Sequence, residues 1–248
     1  MFHDTWILCA DINRNFSPNF VENLLSKNID FNASVKRNIV SLRVSEDLFD
    51  DLTDGNVKAS NVARAFESEV KKNIPARFLE RSFHYTTAIE YPFTIEPYLQ
   101  SRYGTGEFAV WYASLTLSTS IYETAFHMHQ EENKVHDNEN IIYRERAVYD
   151  VHCRALLVDL RGKENHYPDL VTDEYTFPQQ IAKRVYEEGH PGLLVPSART
   201  LGANTVIFNQ KVLSDPRIGC YLTYTLKRNE SKVLVERVPG EIYCVIQF

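Results

Sequence analysis

The chain has 248 residues, a formal net charge of −6 and 44% hydrophobic residues. This length is sufficient for one globular domain with a full hydrophobic core. Only 9 glycines are present, and neither GxGxxG nor GxxxxGK[ST] occurs, which excludes the two common glycine-rich phosphate loops. The acidic balance predicts no direct nucleic-acid partner, because phosphate contacts need a basic surface. No apolar run is long enough for a transmembrane helix, so we expect no membrane contact. The N-terminus does not resemble a signal peptide and the four cysteines are far apart, so we expect a cytoplasmic location with reduced thiols.

The first 75 residues are predicted to be mostly helical, with no role assigned to them. Ser17-Pro18 is typical of a helix start, and apolar residues follow it at helical spacing. Residues 30–44 fit the periodicity of a helix and of a strand equally well. Pro75 predicts the boundary with a second unit, residues 76–248.

The second unit has mainly β-rich runs, which begin at Phe78 and continue to Phe248. Two helices are predicted between them, over residues 118–131 and 177–188. Short turns separate the late strands, which favours antiparallel pairing over repeated strand–helix–strand winding. The predicted fold class is therefore α+β, with an antiparallel-rich mixed sheet.

Arg81 is the first candidate site residue. In FLERSFHY, residues 78–85, strand alternation places Arg81 on one face with Leu79, Phe83 and Tyr85. Burying an unpaired charge is costly, so such an arginine either pairs with a distant carboxylate or faces a cleft. Both interpretations remain open at this point.

Glu123 is the second candidate, in a helix that follows an apolar strand. It lies three residues after Ser120, the spacing of a capping box. It also lies off the apolar stripe of the helix, so periodicity alone predicts a solvated side chain. Glu123 and His127 are one helical turn apart, but no third ligand follows at a suitable spacing. No metal site is therefore expected.

Ser197 and Arg199 follow a short apolar strand that ends at Pro196. Functional sites are often built on such loops, although a lone serine more commonly serves as a turn or cap hydroxyl. No GxSxG motif surrounds Ser197, which disfavours a serine hydrolase.

Taken in chain order, these segments resemble the RES family, which is named for its characteristic Arg, Glu and Ser. The resemblance covers about Pro75 to Phe248. The matching pieces are Arg81, the stretch from Arg102-Tyr103-Gly104 to Tyr112-Ala113-Ser114, Glu123 within Tyr-Glu-Thr-Ala, and Leu-Val-Pro-Ser-Ala-Arg with Asn204 beyond it. RES proteins are bacterial toxins of toxin–antitoxin modules, with a fold related to ADP-ribosyltransferases and activity on NAD.

The resemblance implies cleavage of NAD at its nicotinamide–ribose bond, with water, inorganic phosphate or a protein side chain as the acceptor. The implied catalytic residues are Arg81, Tyr112, Glu123 and Ser197. The implied NAD-binding residues are Arg81, Arg102, Tyr85, Tyr112, Ser197 and Arg199. A carboxylate stabilises an oxocarbenium-like ribose, and guanidinium groups suit a pyrophosphate. NAD is thus implied as substrate, without a metal.

The resemblance also implies a cognate antitoxin protein that blocks the cleft, while the N-terminal region could form a homo-oligomer interface. A catalytically inactive RES-like binding module is the alternative, because Gly104 and Ser82 stand where the family often has Asn and an aromatic residue. A glycosidase that uses two carboxylates ranks last, since Glu123 is the one carboxylate near a candidate site.

Overall fold

The computed structural model describes residues 23–41, 84–94, 96–134 and 140–248. In these ranges the protein is α+β, built on an eight-stranded mixed sheet, which confirms the predicted class. The strands are β1 (Asn28–Val40), β2 (Trp111–Ser114), β3 (Ile141–Asp159), β4 (Gly192–Pro196), β5 (Ala203–Ile207), β6 (Leu213–Lys227), β7 (Lys232–Val238) and β8 (Glu241–Gln247).

The longer helices are α1 (Leu117–Glu132) and α2 (Thr176–Glu187), close to the predicted bounds. Helix α1 starts at Thr116, whose side chain accepts a hydrogen bond from the backbone N–H of Thr119 at 3.1 Å. The shorter helical segments are Thr86–Glu90, Tyr91–Thr94, Pro168–Leu170, Gln210–Val212 and Arg228–Glu230. Within the described ranges, no helix has the length and apolarity needed to cross a membrane.

The sheet closes partly on itself. Its strand order is β1-β2-β5-β4-β3-β6-β7-β8, and β1 also pairs with β3. The first five strands in this order therefore form a ring, from which β6, β7 and β8 extend. Only β3 and β4 are parallel among these neighbours. The contact of β1 with β2 is short, with Lys36 opposite Ser114.

Strand β1 lies in the described part of the region predicted to be mostly helical, and it settles the ambiguous residues 30–40 as a strand. It pairs with β3 along its whole length, from Asn28 opposite Val158 to Val40 opposite Arg146. Long-range pairing of this kind decides between two local periodicities that the sequence leaves balanced. Because β1 belongs to the common sheet, Pro75 does not separate two units in the described part. The rest of the first 75 residues, 1–22 and 42–75, lies outside the described residues.

Three apolar clusters hold the site's elements in place. Helix α1 packs Ile121 and Ala125 onto β6 and β7. Helix α2 packs Ile181 against β4. The third cluster contains Trp111 of β2 and Val35 of β1. Side chains from β1, β2 and α1 are therefore presented from elements that are each anchored in a core.

Candidate functional site

A cleft of about 590 Å³ lies where β1, β2 and the end of β4 meet helix α1. This volume is within the usual range for small-molecule sites. Charged and aromatic side chains dominate its chemistry, among them Arg37, Arg102, Tyr112, Glu123, Asp173 and Arg199. The structure thus brings together sequence-predicted residues from β2, α1 and the loop after β4.

Glu123 is the acidic centre of the cleft. Its Oε1 accepts hydrogen bonds from Ser197 Oγ at 2.6 Å and from Asn204 Nδ2 at 2.8 Å. Both donors are neutral, and no described lysine or arginine lies within ion-pair distance of this carboxylate. Its Oε2 receives no hydrogen bond from the described residues. The capping-box and solvated interpretations of Glu123 are therefore wrong, because Thr116 caps the helix and Glu123 faces a built polar site.

Ser197 is fixed by its own turn. Its Oγ accepts hydrogen bonds from the backbone N–H groups of Arg199 and Thr200, each at 3.1 Å. With both amides directed at the oxygen, its remaining proton is available to Glu123. Ser197 Oγ thus serves both as a turn hydroxyl and as a donor to Glu123. The Ser197 side chain is buried.

Asn204 of β5 is the second donor to Glu123. Its Oδ1 accepts a hydrogen bond from Ser114 Oγ at 2.6 Å. This bond from the end of β2 orients the amide so that its nitrogen, and not its oxygen, meets the carboxylate. Strand β5 and the turn after β4 therefore each donate to a single oxygen of Glu123, and β2 orients the donor from β5.

Tyr112 lines the cleft, but its hydroxyl is held by neighbouring groups. It lies 2.7 Å from Ser101 Oγ and accepts a hydrogen bond from the backbone N–H of Tyr103 at 3.0 Å. Burial raises the pKa of Tyr112 to about 12. The phenol therefore stays protonated at neutral pH, and its ring supplies a flat wall.

Arg102 and Arg199 share one carboxylate, Asp173. Arg102 Nη2 lies 3.6 Å from Asp173 Oδ1, and Arg199 also pairs with Oδ1. Each guanidinium also stacks on an aromatic ring: Arg102 on Tyr175 at 4.8 Å from the centroid, and Arg199 on Phe126 at 3.3 Å. These contacts fix two cationic forks beside the cleft, as bidentate recognition of phosphate requires.

Two predicted residues are absent from the described lining of the cleft. Tyr85 has helical backbone angles and precedes the Thr86–Glu90 turn. It packs against the cluster that contains Trp111 and is not among the residues that line the cleft, so its assignment as an NAD-binding residue stays a prediction. Residues 84 and 85 are helical, which cancels the strand alternation used to orient Tyr85. Arg81 lies outside the described residues.

The cleft also contains residues that the sequence did not identify as site residues. Asn204 was noted only as a neighbour of the Ser197 segment, and its alternation within β5 was the available signal. Arg37 lies between Val35 and Ile39 on one face of β1, the same pattern of a cation among apolar residues that drew attention to Arg81. Asp173 carries no local signal, because its role depends on two arginines that are distant in sequence.

No group of three metal-ligating side chains occurs in the ranges that the structure describes. The site's ligating capacity therefore comes from the carboxylate of Glu123, its two neutral donors and the surrounding guanidinium groups. Such a set suits an organic ligand with a developing positive charge and anionic substituents.

The RES domain model matches residues 74–227. This match spans more than half of the chain and contains Arg102, Tyr112, Glu123 and Ser197. The chain belongs to the RES domain family. The RES match leaves out β1 at one end and β7 and β8 at the other, although all three strands belong to the same sheet.

Two further comparisons accompany the RES match. The search of curated proteins found no match. Among solved structures, a chain of the M. tuberculosis MbcT-MbcA toxin-antitoxin complex is similar, with a TM-score of 0.43 and 10% sequence identity. The similarity covers 82% of this RES protein and 90% of that chain.

Proposed function

We propose that this RES-domain protein cleaves NAD between nicotinamide and ribose and acts as the toxin of a toxin–antitoxin pair. The observation that carries the proposal is Glu123, a carboxylate in the cleft held only by Ser197 and Asn204 among the described residues. Because these donors are neutral, no described cation pairs with the carboxylate. A carboxylate neutralised by an arginine would have much less effect on a cation in the cleft.

In the proposed reaction, the carboxylate of Glu123 assists cleavage of the nicotinamide–ribose bond. As the bond between nicotinamide nitrogen and ribose C1 breaks, both bonding electrons leave with the neutral nicotinamide and the ribose becomes oxocarbenium-like. Glu123 stabilises this cation through space, and its Oε2, which receives no hydrogen bond from the described residues, is free to accept one from a ribose hydroxyl. Attack by water then gives ADP-ribose and a proton, whereas attack by inorganic phosphate gives ADP-ribose 1-phosphate.

The remaining cleft residues bind the substrate. Arg102 and Arg199 are suited to the pyrophosphate, since their planar forks match phosphate oxygens. The ring of Tyr112 provides a face for nicotinamide or ribose. With a protein side chain as the acceptor, the enzyme would be an ADP-ribosyltransferase. The RES resemblance implies a fold related to that class of enzyme.

The proposal includes a protein partner. An intracellular enzyme that degrades NAD has to be inhibited in its own cell, and a cognate antitoxin that occupies the cleft would provide this inhibition. We place the protein in the cytoplasm, where NAD is available, and homo-oligomerisation through the N-terminal region belongs to the same proposal.

The test is a time course of NAD consumption with products identified by mass, with and without inorganic phosphate. Wild-type protein free of any partner is expected to consume NAD, and the mass of the product identifies the acceptor. Glu123→Gln, which is nearly isosteric but uncharged, is expected to reduce kcat by at least about 100-fold, the usual scale for a group that stabilises transition-state charge. The matched control is Glu187→Gln on the exposed side of α2.

Stable NAD over hours with folded, partner-free wild-type protein would contradict the proposal. Equal activity of wild type and Glu123→Gln would contradict the role of the carboxylate. Activity lost equally in Glu187→Gln would indicate a general effect of charge removal instead of a site effect.

The second candidate function is an inactive binding module. It is favoured by Asp173, which already pairs with both Arg102 and Arg199 and so competes with a phosphate for them. Such a module would bind NAD without consuming it, or bind only its protein partner. Calorimetry with NAD, combined with the same time course, separates it from the enzyme.

A further inference from the structure

Arg37 is a cleft residue that lies outside the RES match. It is carried by β1 and lines the same cleft as Glu123. Its Nη1 donates to the backbone carbonyl of Tyr112 at 2.7 Å, and its guanidinium lies 5.3 Å from the ring centroid of Trp111. It therefore reaches the cleft from the strand that closes the ring.

The charge of Arg37 differs in its partners from those of Lys36, Arg102 and Arg199. Lys36 pairs with Asp150, and the guanidinium groups of Arg102 and Arg199 share Asp173. No carboxylate of the described residues lies within ion-pair distance of Arg37, and its Nε is buried without a hydrogen-bond partner. A buried donor and a buried positive charge are both costly when left unpaired.

The electrostatic surroundings add to this cost. Burial, together with repulsion from Arg146, lowers the pKa of Arg37 to about 10. A bound anion would offset both effects on the charge, because it would supply the negative partner that Arg37 lacks. The cleft as a whole is cationic, with five lysines and arginines against three carboxylates among its lining residues.

We propose that Arg37 binds a phosphate group in this cleft. The guanidinium keeps unused donors while one of its nitrogens is anchored on the Tyr112 carbonyl, so it is oriented before the ligand arrives. The ligand class rests on the proposed function, in which a phosphate group comes either from the diphosphate of the dinucleotide or from inorganic phosphate as acceptor. Both sources present the same oxygens to Arg37.

A purely structural role for Arg37 makes a different prediction. β1 and β2 pair only briefly, at Lys36 and Ser114, and the bond from Arg37 to the Tyr112 carbonyl could serve only to hold these strands together. Glutamine can donate one hydrogen bond to that carbonyl but carries no charge. Loss of ligand binding without loss of thermal stability therefore separates the two roles.

The experiment is calorimetric titration of the full chain at low ionic strength with ADP and, separately, with inorganic phosphate. Arg37→Gln is expected to weaken binding of at least one of them by about tenfold or more, the scale of a lost charge-assisted hydrogen bond. Arg37→Lys, which keeps the charge but loses the fork, is expected to bind more weakly than wild type and more tightly than Arg37→Gln. The matched control is Arg217→Gln on β6, an arginine that is 73% exposed and pairs with Asp215.

If Arg37→Gln binds ADP more weakly, the phosphate group at Arg37 belongs to the dinucleotide. If it binds inorganic phosphate more weakly, the group is the inorganic phosphate that acts as acceptor. The proposal would be overturned if Arg37→Gln bound both ligands as tightly as the wild type does. It would also be overturned if the wild type bound neither ligand. If Arg37→Gln does not fold, Arg37→Lys decides, and wild-type affinity of that variant for both ligands would overturn the proposal. Neither ligand is turned over, so these results stand apart from NAD consumption.

Discussion

Replacement of Ser197 by alanine tests whether the donors to Glu123 matter for the reaction. The substitution removes the 2.6 Å hydrogen bond to Oε1 and leaves Asn204 as the remaining described donor. A hydrogen bond to a charged group contributes about 1.5–3 kcal/mol. Because each 1.4 kcal/mol is about a factor of ten in rate, kcat/KM for NAD is expected to fall about 10- to 150-fold.

The same substitution has a smaller effect on stability. The backbone N–H groups of Arg199 and Thr200 lose their acceptor, but both residues are only half-buried, so water can replace the hydroxyl. We expect a loss of about 1 kcal/mol, which lowers the Tm by about 2–4 °C for a protein of this size. Activity therefore falls far more than stability.

The assay is NAD consumption at several substrate concentrations, with circular dichroism melts on the same samples. Ser214→Ala, an exposed serine on β6, is the control and is expected to resemble wild type in both measurements. A folded Ser197→Ala protein with kcat/KM within twofold of wild type would refute the reasoning, since the hydrogen bond would then contribute nothing to the reaction.

Two further predictions concern stability. Burial opposes ionisation of Asp159, but hydrogen bonds from Arg161 and Lys27 outweigh it and lower its pKa to about 2. A depressed pKa stabilises the fold at pH values above the usual Asp range, by about 2 kcal/mol. This contribution is lost as the pH falls towards 2. The free energy of unfolding of Asp159→Asn, measured in urea, should therefore change less between pH 5 and pH 2 than that of wild type. Parallel pH profiles of the two proteins would contradict this. Gly192→Ala would place a Cβ 2.3 Å from the backbone oxygen of Val206. We expect the free energy of unfolding in urea to fall by about 1–3 kcal/mol. An unchanged urea midpoint would contradict this, because it would mean that β4 and β5 move apart without cost.

The sequence was sufficient for the fold class and for helices α1 and α2, because their apolar periodicity and flanking residues are local signals. It was insufficient for β1, whose residues fit two periods until β3 pairs with them. The family resemblance selected Glu123, whereas periodicity placed it in solvent. Periodicity identifies the face that packs on a core, but it does not distinguish solvent from a polar cleft on the opposite face.

The same limit applies to Arg37 and Tyr85. Arg37 became a site residue because of what surrounds it in three dimensions, a carbonyl, a ring and no described carboxylate. The RES resemblance implied a role for Tyr85 and strand alternation gave its orientation, but its backbone is helical. Partners that are distant in sequence decide both cases.

The closing of the ring by β1 has a consequence for how the protein folds. Strand β1 ends at Val40, yet its partner β3 begins only at Ile141. Pairing segments that are so distant in sequence costs closure entropy and is expected to slow folding. A truncation to residues 74–227 would remove Arg37 from the cleft and leave one edge of β3 without its neighbour.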